Sequence, residues 1–147
     1  HDALPIWVSS ILNTKGRDVI CVAPDNTIAE AIAILTRHRI SAVVVGGAGQ
    51  IEGIFSERDV IYALAEEGES VLGERVSLYM TADVISCAPD DDLTEVMRTM
   101  TERRIRHLPV LEDRVLAGIL SIGDLVKYRL GELENDAEAL REYIAQA

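Results

Sequence analysis

The sequence predicts an α/β fold of α+β type: two pseudo-symmetric β-α-β-β-α units packed sheet to sheet, with flanking N- and C-terminal helices. Three observations carry this expectation. Gly53-Ile54-Phe55-Ser56-Glu57-Arg58-Asp59-Val60-Ile61 returns 65 positions later as Gly118-Ile119-Leu120-Ser121-Ile122-Gly123-Asp124-Leu125-Val126. The same offset relates the chain from Val19 to Ile61 to its second half without a gap, which marks an internal duplication. A unit of roughly 50–60 residues buries only a marginal core alone, so the two sheets are expected to pack together about a pseudo-twofold axis.

The elements follow in order. Trp7, Val8, Ile11 and Leu12 make a short apolar piece of about two helical turns, ended by Lys15-Gly16. Val19 to Val22 is a strand that leaves into the turn Ala23-Pro24-Asp25-Asn26. Thr27 stands three before Glu30, a capping-box spacing, and Ile28, Ala31, Ile32 and Leu35 follow at helical intervals. After Arg37-His38-Arg39, the runs 42–45 and 51–55 flank a glycine-rich turn and predict a hairpin. Residues 56–66 read as the second helix. In the repeat, Asp92 and Glu95 replace Thr27 and Glu30, and Leu93, Val96, Met97 and Met100 supply the apolar stripe.

These readings divide the chain into an N-terminal flank (1–18), a first unit (19–66), a linker (67–83), a second unit (84–130) and a C-terminal helix (131–147). The linker is too brief for free movement of the halves. The helix after Asp124 is expected to reach Arg129 or Leu130, with Gly131 as a kink and Asn135 three before Glu138 opening the last helix. Its apolar stripe of Leu133, Ala137, Leu140 and Ile144 fits either folding back on its own domain or a dimer contact.

With 48% hydrophobic residues, the 147-residue chain can build a core without staples. Cys21 and Cys87 sit in apolar runs rather than in spaced pairs, the pattern of buried thiols in a reducing, cytoplasmic setting. No apolar run approaches the roughly 20 residues that cross a bilayer. The net charge of −11 argues against nucleic acid and anionic membrane as partners. An anionic ligand would need local cations, and these cluster at Arg37, His38 and Arg39 and at Arg103, Arg104, Arg106 and His107, where they equally suit helix C-termini. The spacing of Cys21, Cys87, His38 and His107 gives no zinc site, and no nucleophile elbow, phosphate loop of the Walker type or Cys-x-x-Cys pair occurs. No metal and no catalytic residue is expected.

Taken together, the two Gly-x-x-Ser-x-x-Asp stretches, Arg103-Arg104-Ile105-Arg106-His107-Leu108-Pro109-Val110 and the linker ending Tyr79-Met80-Thr81 resemble the paired CBS domain, named after cystathionine beta-synthase. The resemblance covers Val19 to about Arg129. It implies two β-α-β-β-α units with two pseudo-symmetric ligand sites in the cleft between them, frequent dimerisation, and sensing of AMP, ADP, ATP, NAD or S-adenosylmethionine. It also implies that the base lies between the entry of the first strand and the second strand. Ile20, Ile40, Ser41, Ala42 and Val43 would then surround one site, and Ile85, Ile105, Arg106, His107, Leu108 and Pro109 the other.

Chemistry supports a ribose and phosphate clamp at Ser56, Arg58 and Asp59 and at Ser121, Gly123 and Asp124. Each motif starts a helix straight after a strand, so amide groups and the positive dipole end face an anion. A carboxylate one turn in has two acceptors for vicinal ribose hydroxyls. Ser-x-x-Asp is also a helix cap, and the apolar positions equally suit core packing. Pairing Arg58 with the facing segment 41–44, and Gly123 with 106–109, predicts two inequivalent sites. His107 fits either a phosphate contact or a backbone-bonded strand edge. Three functional readings follow. The leading one is a non-catalytic, energy-sensing module for an adenine nucleotide that signals to a protein partner. The others are a structural dimerisation module with degenerate sites, and the regulatory fragment of a larger enzyme or transporter.

Overall fold

The computed structural model describes residues 6–47 and 49–146. In the first unit, β1 (Cys21–Val22), α2 (Ile28–His38), β2 (Ala42–Gly47), β3 (Gln50–Ser56) and α3 (Glu57–Glu67) follow α1 (Val8–Lys15). Their sheet has the order β1-β2-β3, with β1 parallel and β3 antiparallel to β2. The second unit holds α4 (Leu93–Arg103), β4 (His107–Glu112), β5 (Val115–Ser121) and α5 (Ile122–Gln146). The hairpins correspond closely: Val43 faces Phe55 as Leu108 faces Leu120, and a register shift falls at Val45/Gly46 and again at Val110/Leu111.

The first strand does not recur. Cys87 makes only a single parallel bridge to Val110, leaving a two-stranded sheet. Proline explains the loss. In the first unit the Val44 amide donates to the Ile20 carbonyl at 3.1 Å. The counterpart of Val44 is Pro109, which has no N–H to donate to Ile85. The capping box also fails to recur. Thr27 and Glu30 bond reciprocally, whereas Asp92 caps the Thr94 amide alone and Glu95 turns to Arg98, a cation whose counterpart is Ala33.

Each unit is completed by the segment that precedes the other. Helix α1 packs on the second unit, where Val8, Ile11 and Leu12 join Leu93, Val96, Met100, Leu108, Val110, Leu120 and Leu125 in one core. The linker, two short 3-10 turns at Gly68–Gly73 and Val76–Leu78, packs on the first, adding Val71 and Val76 to Val22, Ile28, Ala31, Leu35, Val43, Val45 and Phe55. The backbone contacts mirror one another. The Val8 amide donates to Asp91 and that of Ser9 to Pro89, as those of Val76 and Ser77 donate to Asn26 and Pro24. These crossing segments are related by 68 positions, not 65, so the duplication reaches beyond Val19 with a three-residue slip.

Gly53 and Gly118 seat these segments. A Cβ on Gly118 would lie 2.7 Å from Leu12, and one on Gly53 would lie 2.6 Å from Met80 Sδ and 2.7 Å from the Thr81 carbonyl oxygen. At the far end, α5 continues unbroken through Gly131 to Gln146, against the expected break near Leu130. The glycine costs about 1 kcal/mol relative to alanine. Good helix formers on both sides and an Arg129–Glu132 contact at 3.3 Å offset it. Leu125 is the buried residue of α5, so the stripe from Leu133 onward is not folded back on the domain. Among the described residues, no helix is long and apolar enough to cross a membrane.

Candidate functional site

Each Ser-x-x-Asp motif sits where a β-strand turns directly into a helix, and the turn fixes both side chains. The Ser56 amide donates to Asp59 Oδ2 at 2.9 Å and the Asp59 amide to Ser56 Oγ at 3.3 Å. The Ser121 amide donates to Asp124 Oδ2 at 2.9 Å and the Asp124 amide to Ser121 Oγ at 3.1 Å. Helix capping is therefore satisfied at both places, and it leaves each carboxylate a second oxygen in the first turn of a helix.

Of the two motifs, the second presents its serine and aspartate to the large cleft, while the first contributes Glu57 alone from its Ser-x-x-Asp stretch. This cavity of about 930 Å³ joins Ser121, Asp124 and Ile119 of the second unit to an apolar wall of Ile20, Ile32, Ile40 and Ala42 in the first, with Ser41 at its edge. The cleft thus sets the second motif against the strand entry of the first unit, where Ser41 and Ala42 also adjoin the first motif: Ala42 pairs with Ser56, and the Glu57 amide donates to the Ser41 carbonyl at 2.9 Å. His107 closes the junction, its Nε2 lying 2.7 Å from Ser41 Oγ.

Lys15, at the end of α1, was legible in the sequence only as a helix terminus. Its Nζ donates to Asp124 Oδ2 at 2.5 Å and to the Ile119 carbonyl at 2.6 Å. Arg39, in the left-handed conformation that caps α2, adds a second cation to the cleft lining, and Glu57 adds an acid. The signal that finds Lys15 is the 68-residue offset of the crossing segments: it places Asp83, an acid, at the corresponding position of the linker.

The electrostatics separate the two carboxyls. Burial pushes Asp124 up, but Lys15 and the Ser121 hydrogen bonds outweigh it and hold the group below the ordinary carboxylate range. At Asp59 burial prevails over the Ser56 bonds and the Arg58 charge, and the group is raised. His107 is depressed, first by burial and then by the Lys15 charge, against the opposing pull of Asp124 and Glu57.

The remaining expected residues lie elsewhere. Ser56, Arg58 and Asp59 do not line the large cleft, and Arg58 is exposed. Gly123 is exposed at the start of α5, where an added Cβ would meet only Ser121 Oγ at 3.6 Å; the protein leaves room there. Val43 and Leu108 belong to the two cores, and Pro109 is buried within β4. Ile105 packs on the second core and Arg106 is exposed, its carbonyl accepting from the Ile122 amide at 3.0 Å. Ile85 lines a smaller cavity of about 320 Å³ with Asp91, Asp92 and Glu95, away from both motifs. Among the described residues, no group of three His, Cys, Asp or Glu is placed to hold a metal ion.

The family model for the CBS domain matches this chain twice, over residues 8–66 and 74–131. The chain belongs to the CBS-domain family. Its fold matches the crystal structure of the CBS-domain containing protein ATU1752 from Agrobacterium tumefaciens, at 46% identity and a TM-score of 0.81, over 84% of this chain and 99% of that one. The CBS pair of protein MJ0100, solved in complex with 5′-methylthioadenosine and S-adenosyl-L-methionine, matches at 26% identity and a TM-score of 0.77, over 88% of this chain and 99% of that one. Among curated relatives, the mitochondrial CBS domain-containing protein CBSX3 of Arabidopsis thaliana is 30% identical over 93% of this chain and 71% of its own length.

Proposed function

We propose that this CBS pair is a non-catalytic regulatory module that binds an adenosine-containing ligand, AMP ahead of ADP, ATP or NAD, in the cleft between its units. The observation that carries this reading is the placement of Ser121 and Asp124 opposite the wall of Ile20, Ile32, Ile40 and Ala42. Ligand sites of this kind enclose about 300–1,000 Å³ and combine apolar walls with a few fixed polar groups. The apolar wall covers a purine face, and the free oxygen of Asp124 accepts from ribose hydroxyls. The start of α5, Lys15 and Arg39 stand ready for phosphate. The adenosine derivatives in the MJ0100 complex support the ligand class.

In this reading Ser56, Arg58 and Asp59 form the second and weaker subsite, without the apolar wall that the first one has. Occupancy of the first is passed on because its parts belong to different bodies: the wall to the first unit, Asp124 to α5, and Lys15 to α1. A ligand that prefers one arrangement of these parts shifts the population toward it. The listener is a regulated protein partner, and the module self-associates as a homodimer. The free thiols of Cys21 and Cys87 suit the cytoplasmic placement proposed with it.

Titration calorimetry on ligand-free protein tests the reading with AMP, ADP, ATP, NAD and S-adenosylmethionine. Saturable heat with at least one of them is expected, together with a raised melting temperature. At a hundredfold excess over Kd, the stabilisation is about 2.7 kcal/mol. Silence with all five overturns the sensing role and favours a structural dimerisation module.

A further inference from the structure

We propose that residues 126–144 of α5 form a parallel two-stranded coiled coil with a second copy of this chain. The inference rests on the homodimer of the preceding reading and assigns its contact. Val126, Leu130, Leu133, Ala137, Leu140 and Ile144 follow one another at intervals of four, three, four, three and four. That is an unbroken a/d heptad seam, with Val126 at d and Leu130 at a. All six are exposed, and the five large ones are more than half exposed.

The opposite face of the helix meets the domain. Within α5, the buried or half-buried positions are Asp124, Leu125, Tyr128, Gly131 and Glu132, which occupy heptad sites b, c and f. The seam therefore points away from its own domain along its whole length. Beyond Glu132 every described residue of the helix is exposed, an apolar stripe without a partner in the chain.

Charge identifies the partner and its direction. In a parallel pair, each g residue faces the e residue five positions on in the other helix. Arg129 at g would then face Glu134 of the second copy, and Asp136 at g would face Arg141, so both pairs attract. An antiparallel pair centred on the same seam sets Glu134 against Glu134, Asp136 against Asp136 and Lys127 near Arg141, all of like sign. In the single chain Arg129 touches Glu132 of its own helix at 3.3 Å, and pairing with Glu134 of the neighbour requires it to turn from that contact toward the seam.

Sedimentation of the full chain and oxidation of two cysteine variants test the proposal. Wild-type protein is expected to sediment as a dimer. Ala137→Cys, at a, is expected to form an intermolecular disulfide in most of the protein, while Ala139→Cys, at c, forms several-fold less. Adding Leu133→Glu and Leu140→Glu to the Ala137→Cys variant should abolish that disulfide and halve the mass, with the melting temperature of the globular part unchanged. A dimer in which the Ala137→Cys variant does not cross-link, or links no better than Ala139→Cys, overturns the seam and leaves the homodimer standing. A monomeric wild type overturns both.

Discussion

Asp59 and Asp124 occupy the same place in two copies of one motif, with the same cap geometry to within 0.2 Å in the serine Oγ contact. Their electrostatics run in opposite directions. Burial prevails at Asp59, whereas at Asp124 the crossing helix α1 delivers Lys15, in whose place the linker carries Asp83 at the position related by 68 residues. The hairpins and the Ser-x-x-Asp turns persist in both copies, and the partners of the two carboxyls differ.

The comparison can be broken at several points. The largest effect is expected for Asp124→Ala, which removes the charged acceptor of the proposed clamp. Calorimetry should show AMP binding weakened by roughly 1.5–3 kcal/mol. Asp59→Ala should change it far less, and equal losses would erase the distinction between the motifs.

Next come the seats of the crossing segments. Gly53→Ala drives a Cβ into Met80 and the Thr81 backbone, whereas Gly118→Ala meets only the flexible end of Leu12. Overpacking costs about 1–3 kcal/mol, with Gly53→Ala at the upper end. Differential scanning calorimetry should rank the melting temperatures wild type, Gly118→Ala, Gly53→Ala, from highest to lowest.

Lys15→Met sharpens the electrostatic contrast and should cost about 0.5–1 kcal/mol, since the pair is partly solvated. It should also raise the Asp124 pKa, read by carboxyl-carbon NMR titration. An unmoved Asp124 would show that Lys15 does not set its charge.

The smallest effects concern pH. With its folded pKa lowered, Asp124 contributes stability above its unfolded value of about 3.9, and that stability is lost as pH falls through the lower folded pKa. Asp59 has the opposite sign, because its raised pKa penalises the fold at neutral pH and the penalty is relieved on acidification toward about 4. His107, depressed in the fold, destabilises it as pH falls below about 6.5. Denaturant titrations of His107→Gln should therefore lose part of the wild-type slope just below pH 6.5.

Much of the fold was legible because it is local and repeated. The helix stripes, both hairpins and the Ser-x-x-Asp turns depend on residues a few positions apart. Two departures have single-residue causes, Pro109 removing a strand bond and Arg98 drawing Glu95 from its cap. The site was legible in its residue types but not in its pairing. Ser121 and Asp124 meet Ile20 and Ile40 only through docking of the two units, which a pattern read along one chain does not contain. Lys15 was missed for the same reason: it lies ahead of the ungapped repeat and acts 109 positions away. The unbroken passage of α5 through Gly131 reflects helix propensity outweighing one weak position.

The central claim is that the ligand site is the cleft shared between the first unit's wall and the second unit's motif. Isoleucine methyl NMR, with less than one equivalent of AMP added to ligand-free protein, tests it most directly. The account predicts that Ile20, Ile32, Ile40 and Ile119 shift first while Ile85 and Ile105 stay in place. Early shifts at Ile85 and Ile105 with a silent Ile20 and Ile40 would contradict it.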